Sequence, residues 1–169
     1  MALTGCHKEE QAVVGVAQNA VSAEQKAQQA SQAAAAERDR QRAQLERIPL
    51  PTKSLYVDVK DANAWANPFL SVEAETLNLR SVALDASVAG QGGQRPEAVH
   101  RQEMQLRPAD LVQTLIALPP AAWRYGRVIA IAESAKANPK DRPAIRRNVE
   151  AAIKQLNDLG IVVEEWPAK

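Results

Sequence analysis

Val128-Ile129-Ala130-Ile131-Ala132 is a run of five apolar residues with no polar face. A strand of that kind is covered on both sides, the condition of a strand in the middle of a sheet. Downstream, Asn138-Pro139 reads as a linker, and Pro143 sits just inside a helix whose Ile145, Val149, Ile153 and Leu156 recur at helical spacing. Gly160 lies just past the end of that helix, where a C-cap glycine belongs. Ile161-Val162-Val163 makes a last strand, and Trp166-Pro167 ends the fold.

Upstream, Pro108 opens a helix with Leu111, Val112, Leu115 and Leu118 on one face, and Pro119-Pro120 closes it. Before it the pattern alternates. Leu55, Val57 and Val59 share one face of an expected half-buried strand, followed by a loop at Asp61-Ala62-Asn63 and Asn67-Pro68. Phe69–Glu73 and Thr76–Leu84 read as strands. Leu77 and Leu79 are odd while Val82 and Leu84 are even, so the phase slips at Ser81 and predicts a bulge or short break. Val88–Pro96 reads as an exposed Gly-rich turn, after which residues 100–106 return as a hairpin partner. Strands, helix, strand, helix, strand make residues 53–169 an α+β head. Its simplest architecture is two-layered, an antiparallel or mixed sheet with two helices on one face.

Residues 7–48 differ in kind. From Glu9 to Ile48 there is no proline and one glycine, and Ala, Gln, Glu, Lys and Arg dominate, all good helix formers. One long helix of roughly 60 Å is expected, stopped by Pro49 and Pro51. Val13, Ala20, Ala27, Ala34 and Ile48 fall on one heptad position, with Val16, Ala23 and Ala30 three residues further on. An alanine seam over 13–34 packs a second helix closely but buries little area. A homo-oligomeric coil and a single exposed tether are therefore both open.

Residues 1–6 end in Leu3-Thr4-Gly5-Cys6, which resembles the lipobox of bacterial lipoproteins. The resemblance implies that Cys6 carries a lipid and becomes the mature N-terminus. Cys6 is the chain's only cysteine, so an internal disulfide is impossible. With two histidines in the whole chain, a zinc site has no ligand set, and no metal or cofactor is expected. Five residues precede Cys6, fewer than the apolar core of a signal peptide, so on this reading residues 1–6 are the remnant of one, from a start assigned too late or a trimmed sequence; an accidental match with a free cysteine is the alternative. His7 stands where an inner-membrane retention aspartate would stand in that family, which favours an outer membrane where one exists.

The head's order of elements resembles the periplasmic domain of the ExbD/TolR family over roughly residues 69–166. Phe69-Leu70-Ser71-Val72-Glu73, the Pro108–Leu118 helix and Tyr125-Gly126-Arg127-Val128 carry the resemblance. That family's membrane helix with its proton-carrying aspartate has no counterpart in this sequence, so proton-driven work is not implied.

The 169 residues carry a formal net charge of +1, without the basic excess expected of a nucleic-acid protein. Gly90-Gln91-Gly92-Gly93-Gln94 matches the Gly-x-Gly-Gly-Gln loop of peptide-chain release factors, but Arg95-Pro96 replaces that family's next residues, and a hairpin loop explains the glycines. Glu133 and Ser134 lie at a strand exit where α/β enzymes keep catalytic groups, although no histidine is near in sequence. Glu164 and Glu165 point to opposite faces of a strand, so they form no acid pair. Lys136, Lys140, Arg142, Arg146 and Arg147 crowd the entry to the last helix. They suit lipid headgroups, an anionic glycan or a partner, or make an ordinary solvated face with Glu150. Trp65 and Trp123 suit core packing or an interface. The chain is therefore expected to be a lipid-anchored, periplasm-facing envelope adaptor without catalysis. It would meet the membrane through Cys6 and an envelope protein or cell-wall component through its head. A soluble coiled-coil interaction protein and an enzyme using Glu133 are the alternatives.

Overall fold

The computed structural model describes residues 7–84 and 99–167, with side chains over 23–82 and 101–167. It divides into two units, Met1–Arg40 and Gln41–Lys169. The first consists of helix α1, assigned over His7–Leu45 and continuing into the second unit. Every side chain described from Ala23 to Ala34 is exposed, including seam residues Ala23, Ala27, Ala30 and Ala34. A helix that buries so little is held by its backbone bonds and by the propensity of Ala, Gln and Glu. The seam residues Val13, Val16 and Ala20 lie outside the described side chains. No helix among the described residues is long and apolar enough to cross a membrane.

The second unit is α+β, with a five-stranded mixed sheet and helices α2 (Leu111–Ala117) and α3 (Arg142–Asp158). Its strands are β1 (Phe69–Val72), β2 (Leu77–Leu84), β3 (Val99–Leu106), β4 (Val128–Glu133) and β5 (Val162–Trp166), in the order β3-β2-β1-β4-β5. β2 runs antiparallel to β1 and β3, whereas β4 runs parallel to β1 and β5. The all-apolar run of β4 thus lies between two parallel neighbours and is buried from Val128 to Ala132.

Alternation sends Leu70, Val72, Leu77, Leu79, Ile129 and Ile131 to one face of the sheet. There they meet Leu111, Val112 and Leu115 of α2 and Ile145, Val149 and Leu156 of α3 in one aliphatic core. Both helices therefore pack on the same side. The core also takes in Leu45 and Ile48, so Ile48 is a core residue rather than part of a coil seam. Arg47 beside them donates to the carbonyls of Ile116 and Leu118, closing the carboxyl end of α2. Gly160, at a φ of 77°, caps α3 as expected.

Val128 and Ala130 point the other way and are covered by a strap, residues 56–67, that carries Tyr56 and Trp65. Here the sequence expectation fails. Leu55–Val59 is not a strand: Lys53–Leu55 is a 3-10 turn, and the amides of Leu55, Tyr56 and Val57 donate to the nearby carbonyls of Thr52 and Lys53. With those donors used locally there is no ladder. The alternation is real but inverted, since Tyr56 is buried while Leu55 and Val57 are 55% and 40% exposed. Nor is there a bulge at Ser81, because the β2–β3 register is unbroken from Leu77↔Leu106 to Leu84↔Val99. The phase slips because both faces are covered at that point. A 3-10 turn at Pro120–Ala122 packs against β2, and Arg101, opposite Val82, reaches across to the carbonyl of Asn63 in the strap.

Two side chains fix the strap. The buried amide of Asn67 donates to the carbonyls of Gly126 (2.8 Å) and Val128 (2.7 Å) and accepts from the Tyr125 amide (2.8 Å). The indole of Trp65 donates to the Pro68 carbonyl at 3.0 Å, and its ring lies 5.2–5.7 Å from the rings of Tyr125, Trp166 and Tyr56. Burial, and then the charge of Glu164, raises the Tyr56 phenol above its ordinary value. Gly126 has a φ of 83°, and a Cβ there would lie 2.5 Å from the Leu50 carbonyl, so no other residue fits where residues 49–50 pass.

Candidate functional site

The chain leaves β1 towards β2 on one side and leaves β4 towards α3 and β5 on the other. β1 and β4 are parallel, so the loops after them diverge and leave a crevice beyond their carboxyl ends. In open α/β sheets this is where ligands bind. Two adjoining hollows occupy it, of about 520 and about 350 Å³, and Glu73, Ser134 and Lys136 line both. Each falls within the size range of small-molecule sites.

The crevice is built from short polar residues at strand ends. The Glu73 amide donates to the Thr76 carbonyl at 2.9 Å and makes a tight β1–β2 turn. Asn148 of α3 donates to the carbonyls of Glu73 (3.2 Å) and Ala74 (2.8 Å), which pins that turn to the helix. The Glu73 carboxylate accepts from Thr76 Oγ1 at 3.1 Å and Asn78 Nδ2 at 3.0 Å, and Gln105 supports Thr76 in turn at 3.2 Å. On the opposite wall the Ser134 amide donates to the Val72 carbonyl at 2.9 Å, continuing the parallel ladder one residue past β4. One side of the smaller hollow is formed by Phe69 and Arg80, with the guanidinium 4.8 Å from the ring centre. Arg80 also donates to the Ala62 carbonyl at the tip of the strap; burial, and then the charge of Arg101, lowers its proton affinity.

The residues singled out in the sequence are distributed elsewhere. Arg142 and Arg147 are exposed on α3. Arg146 is engaged by three carboxylates: it donates to Glu150 at 2.9 Å, pairs with Glu165, and lies 3.9 Å from Glu133. Its proton affinity is raised, first by the hydrogen bond to Glu165 and then by that to Glu150. Glu133 therefore serves an ion-pair cluster on the helix face. Glu164 and Glu165 do point to opposite faces, opposite Ala130 and Ile131. Trp65 and Trp123 are buried, at 2% and 3% exposure. The Trp123 Nε1 has no hydrogen-bond partner among the described residues. Cys6 and the Gly90–Gln94 loop lie outside the described residues.

Glu73, Thr76 and Asn78 carry no motif in the sequence, and Lys136 stands there only within a basic run. The signal in the sequence is Glu73 and Ser134, an acidic and a hydroxyl residue just past the ends of β1 and β4, which are parallel neighbours. Among the described residues, no group of three or more His, Cys, Asp or Glu is placed to hold a metal ion. Compared with protein-family models, curated proteins and solved structures, the chain matches none.

Proposed function

We propose that this chain is a lipid-anchored adaptor or structural binding protein of the bacterial cell envelope, without catalytic activity. Cys6 carries the lipid, one continuous helix from His7 is the spacer, and the two-layer head binds another envelope component. The observation that carries this reading is the order of three unlike parts along the chain. A lone cysteine in Leu-Thr-Gly-Cys is followed directly by a helix with an exposed stretch from Ala23 to Ala34, and then by a packed head. An exposed helix of helix-forming residues keeps its length without a core, as a spacer requires. A cysteine bearing several acyl chains anchors stably where one chain would not.

Fractionation of cells expressing the gene with its native upstream DNA tests the anchor. The native chain is expected in the detergent-extracted membrane fraction and Cys6→Ser in the soluble fraction. Membrane retention of Cys6→Ser overturns the reading. The exposed alanines at 23, 27, 30 and 34 favour a second reading, a coiled-coil interaction protein that self-associates. On that reading Ala27→Asp lowers the mass in solution to that of one chain, and an unchanged mass removes it.

A further inference from the structure

Of the charged residues that line the crevice at the carboxyl ends of β1 and β4, Glu75 and Asp141 border the larger hollow and Arg80 and Glu103 the smaller, while Glu73 and Lys136 border both and do not pair with each other. Glu73 has two neutral donors, at 3.0 and 3.1 Å, and forms no ion pair among the described residues. Each of its oxygens accepts one of those bonds and keeps a lone pair free. Lys136 lines the same two hollows, is exposed, and likewise pairs with no carboxylate among the described residues. Ser134 also lines both hollows. The charge cluster around Arg146 behaves differently, because its guanidinium is already paired with its own glutamates. The Glu73 carboxylate is held still by Thr76 and Asn78, so its orientation is fixed before any ligand arrives.

We propose that this crevice binds a small zwitterion, an amino acid or a dipeptide with both termini free. Glu73 accepts hydrogen bonds from the ammonium group, and Lys136 pairs with the carboxylate. Ser134 adds a hydroxyl that donates to the carboxylate. A dipeptide spans roughly 7 Å when extended, which suits two charges too far apart to pair directly. The ligand's side chain then meets the small apolar wall of Ala74, Ala137 and Ile145. The proposal names the ligand class of the binding head and rests on the adaptor reading only in taking the head as the binding part.

The test is a titration of the full-length chain with alanine and with alanyl-alanine, followed by amide chemical shifts and calorimetry. Saturable shifts at Glu73, Thr76, Ser134 and Lys136 are expected from at least one of the two. Acetylating the ligand's amine or amidating its carboxylate should weaken binding at least tenfold, and so should Glu73→Gln and Lys136→Gln. Arg142→Ala, outside the crevice, should bind as the native chain does. The capped ligands are compared on the native chain, so the test does not depend on any variant folding. No saturable shift from either ligand up to about 10 mM, tenfold beyond a millimolar dissociation constant, overturns the proposal. So does equal binding of the capped forms. Binding with an unmodified Cys6 would remove the anchor and leave the crevice, and the reverse result would remove the crevice alone.

Discussion

The two faces of the sheet are built on different principles. On the helix face, aliphatic side chains from β1, β2 and β4 meet those of α2 and α3 in one continuous cluster. On the strap face, Val128 and Ala130 are covered by a few aromatic rings, and the cover is fixed by Asn67, Trp65 and two arginines reaching to backbone carbonyls. Regular burial needs regular elements, so the helix face is periodic. A strap without ladder bonds depends on single side chains that each serve several backbone groups. The strap face should therefore be the more fragile per residue, and it also borders the crevice through Arg80 and Phe69.

Four substitutions probe this contrast, each measured by urea unfolding with the slope compared to the native chain. Trp65→Ala removes the ring that touches three others and should cost about 3–5 kcal/mol. A loss smaller than that of a single methyl on the helix face would mean that the strap contributes nothing. Asn67→Ala leaves the Val128 carbonyl and the half-buried Tyr125 amide without the side chain that binds them, while the Gly126 carbonyl keeps the Val128 amide, and should cost about 1–3 kcal/mol. Near-native stability there would show that other donors or water replace the amide. Ile131→Val removes one methylene from a fully buried position among many aliphatic neighbours and should cost about 0.5–1.5 kcal/mol.

The smallest effect is expected at Asp110. It accepts two hydrogen bonds from Arg107, at 2.8 and 3.1 Å, which hold its carboxyl below the ordinary aspartate value. A depressed folded value contributes stability above the unfolded value and loses it as pH falls through the folded one. Asp110→Asn should therefore be slightly less stable than the native chain at neutral pH, with the difference fading in acid. A difference that grows in acid contradicts the assignment.

What was legible in the sequence follows the same division. The five-residue apolar run of β4, the helical spacing of Ile145 to Leu156 and the glycine after α3 each announce their structure, because burial on one side of a regular element leaves a period. The strap is different. Leu55, Val57 and Val59 alternate as a strand does, yet their backbone donors close short local turns, and alternation alone carries no information about hydrogen-bond partners. Ser81 misled for a related reason, since a residue covered on both faces breaks a period without breaking a ladder. The crevice was hidden because Glu73 and Lys136 lie 63 positions apart in sequence and come to line one crevice only through the parallel pairing of β1 and β4. Glu133, one residue from the crevice wall, was visible from its strand exit. Its alternation places it on the helix face, with Arg146.

The most direct measurement on the central claim is the intact mass of the membrane-extracted protein, expressed from the gene with its native upstream DNA. A species beginning at Cys6 and heavier by a diacylglycerol and an acyl group is the predicted result. An unmodified chain beginning at Met1 or Ala2 would contradict the account.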